Sequence, residues 1–128
     1  MRKILLVDND ITFIWGLKKY LQRRGYAVET AATLAEAREM IKQEAPLLIC
    51  SDLCLPDGTA LELFHDIRRI SEKFKVNNPP IKLLPFFTLT ASIDFATEYQ
   101  YQHKGISDYI TTPVNISELI WRILFFGE

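Results

Sequence analysis

Leu47, Leu48 and Ile49 form an apolar run without alternation, as expected of a strand covered on both faces in a parallel sheet. The run stops at Asp52, and Pro56-Asp57-Gly58 turns the chain at once. Thr59, with Glu62 three residues on, reads as a capping box that opens a helix. A carboxylate therefore stands at the C-terminal end of a buried strand. In open α/β sheets the crevice outside those strand ends is where ligands bind.

The rest of the chain repeats the alternation. Lys3 to Val7 is a buried strand, and the polar turn Asp8-Asn9-Asp10 leads into a helix from about Ile11 to Arg24. Ile14, Leu17 and Leu21 give that helix its apolar stripe, and Gly25 stops it. Lys18, Lys19, Arg23 and Arg24 read as a solvated face that complements the helix dipole. Tyr26 to Thr30 is a second strand, and Thr33 with Glu36 caps a helix running to about Ala45, with Leu34, Ala37 and Ile41 inward. After the Thr59 cap, Leu63, Ile67 and Ile70 line a third helix that fades near Phe74. Lys75 to Pro85 reads as a loop, Phe86 to Leu89 as a fourth strand, and Asp94 to Lys104 as a helix closed by Gly105. Asp108 to Thr111 is a fifth strand, and Asn115 with Glu118 opens a final helix with Leu119, Ile120, Ile123 and Leu124 inward. Five strands alternating with five helices describe a doubly wound α/β fold with a parallel sheet.

Composition narrows the function. At 128 residues, 48% hydrophobic and 24% charged, one soluble globular domain is expected. A net charge of -1 leaves no basic footprint, so direct nucleic-acid binding is not expected. No apolar run is long enough for a signal peptide or a membrane span. Cys50 and Cys54 make neither a disulfide framework nor a CxxC pair, which fits a reduced cytoplasmic setting. His65 and His103 lie on helices without ligand-spaced neighbours and read as surface residues.

Three strand ends carry polar groups that can converge: Asp8-Asn9-Asp10, Asp52 and Thr90. Carboxylates from two strands in one crevice form an oxygen-rich pocket suited to Mg²⁺, which keeps several waters and shares a substrate phosphate. Crowded carboxylates repel one another, so a cation or phosphoryl partner is needed beside them. Asp57, between proline and glycine, reads as a turn residue. Cys54 has two readings, a border of the site and a small semi-buried filler.

The stretches K-I-L-L-V-D-N-D, S-D-L-C-L-P-D-G, P-F-F-T-L-T-A and G-I-S-D-Y-I-T-T-P-V resemble, in order and across the whole chain, the signature stretches of bacterial response-regulator receiver domains. The resemblance implies a flavodoxin-like (βα)5 fold with strand order 2-1-3-4-5, and residues 1–128 as a single receiver domain without an effector domain in this chain. It implies a phosphoacceptor at Asp52, fed by the phosphohistidine of a histidine kinase or phosphotransfer protein, and a Mg²⁺ site made by Asp8, Asn9, Asp52 and the main-chain carbonyl of Cys54. Thr90 matches the switch hydroxyl, Tyr109 the aromatic whose rotamer reports the state, and Thr112-Pro113 a candidate cis peptide.

Two positions depart from the family pattern. Asn9 replaces the second of two adjacent acids, and Thr112 replaces the lysine before the proline. Two unit charges about 4 Å apart interact by about 4 kcal/mol at an effective dielectric near 20, an upper guide to what the missing ammonium contributes beside a phosphoryl group. Asp10 is the candidate to compensate for Asn9.

Two functional classes are expected from this pattern. The first is a metal-dependent phosphotransfer switch with a weakened site that signals to a downstream protein; the second is a pseudo-receiver whose protein binding needs no phosphorylation. An aspartyl-phosphate hydrolase is set aside, because Asp52-Leu53-Cys54 lacks its D-x-D motif. The resemblance places the output surface on the fourth helix, fifth strand and fifth helix. There Phe95, Tyr99, Trp121 and Phe125 read either as cover for the sheet edge or as a face for a homodimer or partner.

Overall fold

The computed structural model of the protein describes residues 3–44, 46–52, 54–73, 82–86 and 116–126, with backbone alone at 67, 68, 70–73, 82–86, 116 and 126. Two cores grow from the period-two alternation of strand β1 (Lys3–Val7). Ile4 and Leu6 enter one core with Ile14, Leu17 and Leu21 of helix α1 (Ile11–Arg23) and Leu119, Ile120 and Ile123 of the final helix (Ile116–Phe126). Leu5 and Val7 enter the other, with Leu34, Ala37 and Ile41 of α2 (Leu34–Gln43) and Leu63 of α3 (Ala60–Lys73). Helices thus cover both faces of one sheet. Burying each of these large aliphatic side chains stabilises the fold by roughly 1.5–3 kcal/mol.

The sheet runs β2 (Ala27–Ala31), β1, β3 (Leu48–Asp52), β6 (Lys82–Phe86), all parallel. This is the doubly wound, flavodoxin-like α/β fold, and its described strands follow the expected order 2-1-3-4. The expected fifth strand and fourth helix lie outside the described residues.

The element ends follow local chemistry. Asp10 caps α1, its Oδ1 accepting from the Phe13 N–H at 3.1 Å. At the other end Tyr26 N–H reaches Leu21 O and Gly25 N–H reaches Gln22 O, with Gly25 at φ +90°, which is a Schellman stop. Thr33 Oγ accepts from Glu36 N–H at 3.1 Å, and Thr59 Oγ from Glu62 N–H at 3.3 Å, as their capping motifs predict.

Three boundaries differ from the sequence reading. The second strand is shifted one residue, to Ala27–Ala31, and α2 stops at Gln43, its Glu44 cap already extended at ψ 125°. The fourth strand is Lys82–Phe86 rather than Phe86–Leu89, so residues taken for loop are strand. The turn signal of Asn77-Asn78-Pro79-Pro80 carries the expected loop on through Pro85, but Pro85 pairs in register with Ser51 along β3, and tertiary pairing overrides its local preference. The Pro56-Asp57 turn is also tighter than foreseen: β4 (Cys54–Leu55) and β5 (Gly58–Thr59) pair across it as a small antiparallel hairpin.

Candidate functional site

Register builds the site. β1 and β3 are neighbours, and Val7 pairs with Ser51. The residue after each is an acid, Asp8 just past the end of β1 and Asp52 the last residue of β3, so the two stand side by side on chains about 4.8 Å apart. Both are buried, Asp8 at 3% exposure and Asp52 at 7%. Carboxylates are seldom found so deep unless paired or set beside a cation.

The loop around them is pinned at several points. Asp8 N–H donates to Ala31 O at 3.0 Å, and Asp8 Oδ1 accepts from Asp10 N–H at 3.0 Å. The Ser51 hydroxyl, fully buried, donates to the Asp52 carbonyl at 2.9 Å. Asn9 is exposed, and the Asp10 carboxylate serves α1 as its cap, so the structure employs Asp10 in holding the helix. Cys54 is exposed two residues beyond Asp52, whereas Cys50 lies inside β3, where burial pushes its thiol pKa up and keeps it protonated.

Asp57 does more than turn the chain. Its Oδ1 accepts from Leu34 N–H at 2.7 Å and its Oδ2 from Ala35 N–H at 3.0 Å, so it clamps the N-terminus of α2 from 22 and 23 residues away. Those backbone donors hold its carboxyl below the usual range. Gly58 beside it is closely packed, since a Cβ there would lie 2.6 Å from Leu34 Cδ2 and 2.5 Å from Glu62 Oε2. The loop following Asp52 is thereby tied to α2. Sequence offered no local sign of this, because the partner donors become available only where another helix begins. A second missed link joins α2 to α3: buried Asp66 takes Arg38 Nε at 2.5 Å and pairs also with Arg69.

Among the described residues no three His, Cys, Asp or Glu side chains gather into a metal cage. The two buried carboxylates still fit a hard cation that completes its shell with backbone carbonyl, water and phosphoryl oxygens, which is the habit of Mg²⁺. Thr90, Phe95, Tyr99, Tyr109, Thr112 and Pro113 lie outside the described residues. Trp121 and Phe125 lie outward, 71% and 70% exposed.

A doubly wound sheet with buried acids at the ends of its first and third strands sets two hard oxygen donors at the edge where ligands bind in open α/β folds. The model of the response regulator receiver domain matches residues 4–124. The chain belongs to that family, the receiver domains of two-component signalling. It is 29% identical over 127 residues to the photosynthetic apparatus regulatory protein RegA of Cereibacter sphaeroides, covering 99% of this chain and 64% of RegA. It is 33% identical over 128 residues to the transcriptional regulatory protein CrdR of Helicobacter pylori, covering 99% of this chain and 56% of CrdR. The chain thus spans less than two thirds of these relatives. Among solved structures it is similar to the non-phosphorylated HemR receiver domain of Leptospira biflexa (TM-score 0.80, 25% identity, 100% of this chain and 95% of that one). It is also similar to a Burkholderia pseudomallei response regulator solved with a phosphorylated aspartic acid, a calcium ion and citrate (TM-score 0.73, 26% identity, 94% of this chain and 65% of that one). Among the described residues no helix is long and apolar enough to cross a membrane.

Proposed function

We propose that Asp52 accepts a phosphoryl group from the phosphohistidine of a histidine kinase or phosphotransfer protein, with reduced efficiency, and that the protein signals by binding a downstream protein. The observation that carries this is the buried, in-register placement of Asp8 and Asp52. An Asp52 carboxylate oxygen attacks phosphorus, the P–N bond to the donor imidazole breaks, and the imidazole leaves with the bond pair and takes up a proton. Asp8, Asp52 and the Cys54 carbonyl, with Asn9 as a neutral oxygen donor, would hold Mg²⁺, which when bound would supply positive charge beside the phosphoryl group. Asp8 keeps the loop in place through Asp10 N–H. Thr90 offers a hydroxyl to a phosphoryl oxygen, and Tyr109 follows the state of the site. Thr112 brings no positive charge where the family carries a lysine, which supports reduced efficiency.

Phe95, Tyr99, Trp121 and Phe125 form the proposed partner face, supported by the exposure of the last two. That exposure also favours a second reading, a pseudo-receiver in which this face acts without phosphorylation. Incubation with a small phosphodonor and Mg²⁺, followed by mass spectrometry of proteolytic peptides, tests the first. The phosphoryl group is expected on Asp52 alone and is lost in Asp52→Asn; modification elsewhere, or none after Asn9→Asp with Thr112→Lys, leaves the pseudo-receiver.

A further inference from the structure

The last two turns of helix α1 and its C-cap carry four cations, spread around the helix, without carboxylate partners among the described residues. Lys3, Arg38, Arg69 and Arg122 each meet a carboxylate, but Lys18, Lys19, Arg23 and Arg24 have no such partner among the described residues. Two of the four rest on aromatic faces. Lys19 Nζ lies 5.2 Å from the Trp15 ring centroid, and the Arg24 guanidinium lies 5.2 Å from that of Tyr20. Arg24 also donates to the Tyr20 hydroxyl at 3.0 Å, which fixes the guanidinium while leaving most of its five donors for another acceptor.

Beside Arg24 a groove of about 360 Å³ runs between α1 and the final helix, lined by Tyr20, Arg24, Ser117, Ile120, Trp121 and Leu124. Its final-helix side is apolar apart from Ser117, and on the α1 side Arg24 is its one cation. The geometry points to a docking groove for an acidic amphipathic segment of a partner protein, with an apolar anchor on Ile120, Trp121 and Leu124 and a carboxylate on Arg24. Charge decides the occupant. A second copy seated two-fold on this groove would bring two Arg24 guanidiniums into one interface, because such a contact faces itself. Arg24 stands 14 residues along α1 from Asp10, about 20 Å at 1.5 Å per residue, so the groove is separate from the phosphoryl site although it shares Trp121 with the face proposed above. Docking there requires no phosphoryl group.

Selection of a displayed random 16-residue peptide library on the whole chain tests this. Enriched peptides are expected to carry apolar anchors at three- or four-residue spacing flanked by Asp or Glu. Their synthetic forms should lose tenfold or more in affinity to Trp121→Ser and to Arg24→Glu, and bind Trp15→Ser and Asp52→Asn as they bind the parent. Circular dichroism of each variant confirms that the fold is kept, and Arg24→Lys, which keeps the charge, should fall between parent and reversal. Enrichment without acidic residues, affinity indifferent to Arg24→Glu, or binding lost in Asp52→Asn would overturn the proposal. So would a parent that sediments as a dimer dissociated by Trp121→Ser, or one that binds phosphatidylglycerol vesicles through the same residues in place of the peptides.

Discussion

At the residue scale, the site depends on side chains whose neighbours fix their roles. Asp8 and Asp52 are both buried and in register, so each raises the need for a cation beside the other. Asn9 offers an oxygen but no charge. Mg²⁺ should therefore bind more tightly to Asn9→Asp than to the parent, by several-fold in a titration followed by calorimetry or by the fluorescence of Trp15, one turn beyond the Asp10 cap; equal affinities would contradict the role given to Asn9. Asp57 makes a separate prediction. Its folded pKa is held down by the Leu34 and Ala35 N–H groups, so its contribution to stability is present above the ordinary aspartate range and is lost as pH falls through the folded pKa. Asp57→Ala should lower the melting temperature at neutral pH, and the gap from the parent should close as the solution is acidified below about pH 3.8, the unperturbed value. A gap that is constant with pH would remove the carboxylate from the account.

At the element scale, strands and helices were legible where local chemistry and tertiary demand agree. The Asp10, Thr33 and Thr59 ends, the Gly25 stop and the inward stripe of the final helix all rest on short-range signals. β6 was misplaced because the loop signalled by Asn77-Asn78-Pro79-Pro80 runs on through Pro85 in the sequence, while the pairing with β3 that makes Lys82–Phe86 a strand comes from more than thirty residues away. The same distance hid the clamp from Asp57 to α2 and the bridge from Asp66 to Arg38. In the site, the two acids could be read because each ends an apolar run, but Asp10 showed its task as a cap only once α1 was in place. The α2–α3 bridge is itself testable. Asp66 is buried while Arg38 and Arg69 keep access to water, so Asp66→Ala should cost about 1–2 kcal/mol in urea unfolding, less than the loss of a fully buried pair. An unchanged midpoint would mean that packing alone joins the two helices.

At the scale of the whole molecule, one sheet separates tasks. Its C-terminal edge gathers Asp8 and Asp52, while the outer surface formed by α1 and the final helix exposes aromatic and cationic side chains far from that edge. Under the proposed function, phosphoryl chemistry at that edge is linked to protein contact on the surface, and Asn9 and Thr112 leave the sequence two charges short of the family pattern. The decisive measurement is the phosphorylated fraction over time with a small phosphodonor and Mg²⁺, in the parent, in Asp52→Asn and in Asn9→Asp with Thr112→Lys. The parent should be modified slowly and Asp52→Asn not at all. The double variant should be faster by about tenfold or more, which needs only about 1.4 kcal/mol of added stabilisation in the transition state. A double variant no faster than the parent, or an Asp52→Asn protein modified as readily, would contradict a weakened phosphoacceptor at Asp52.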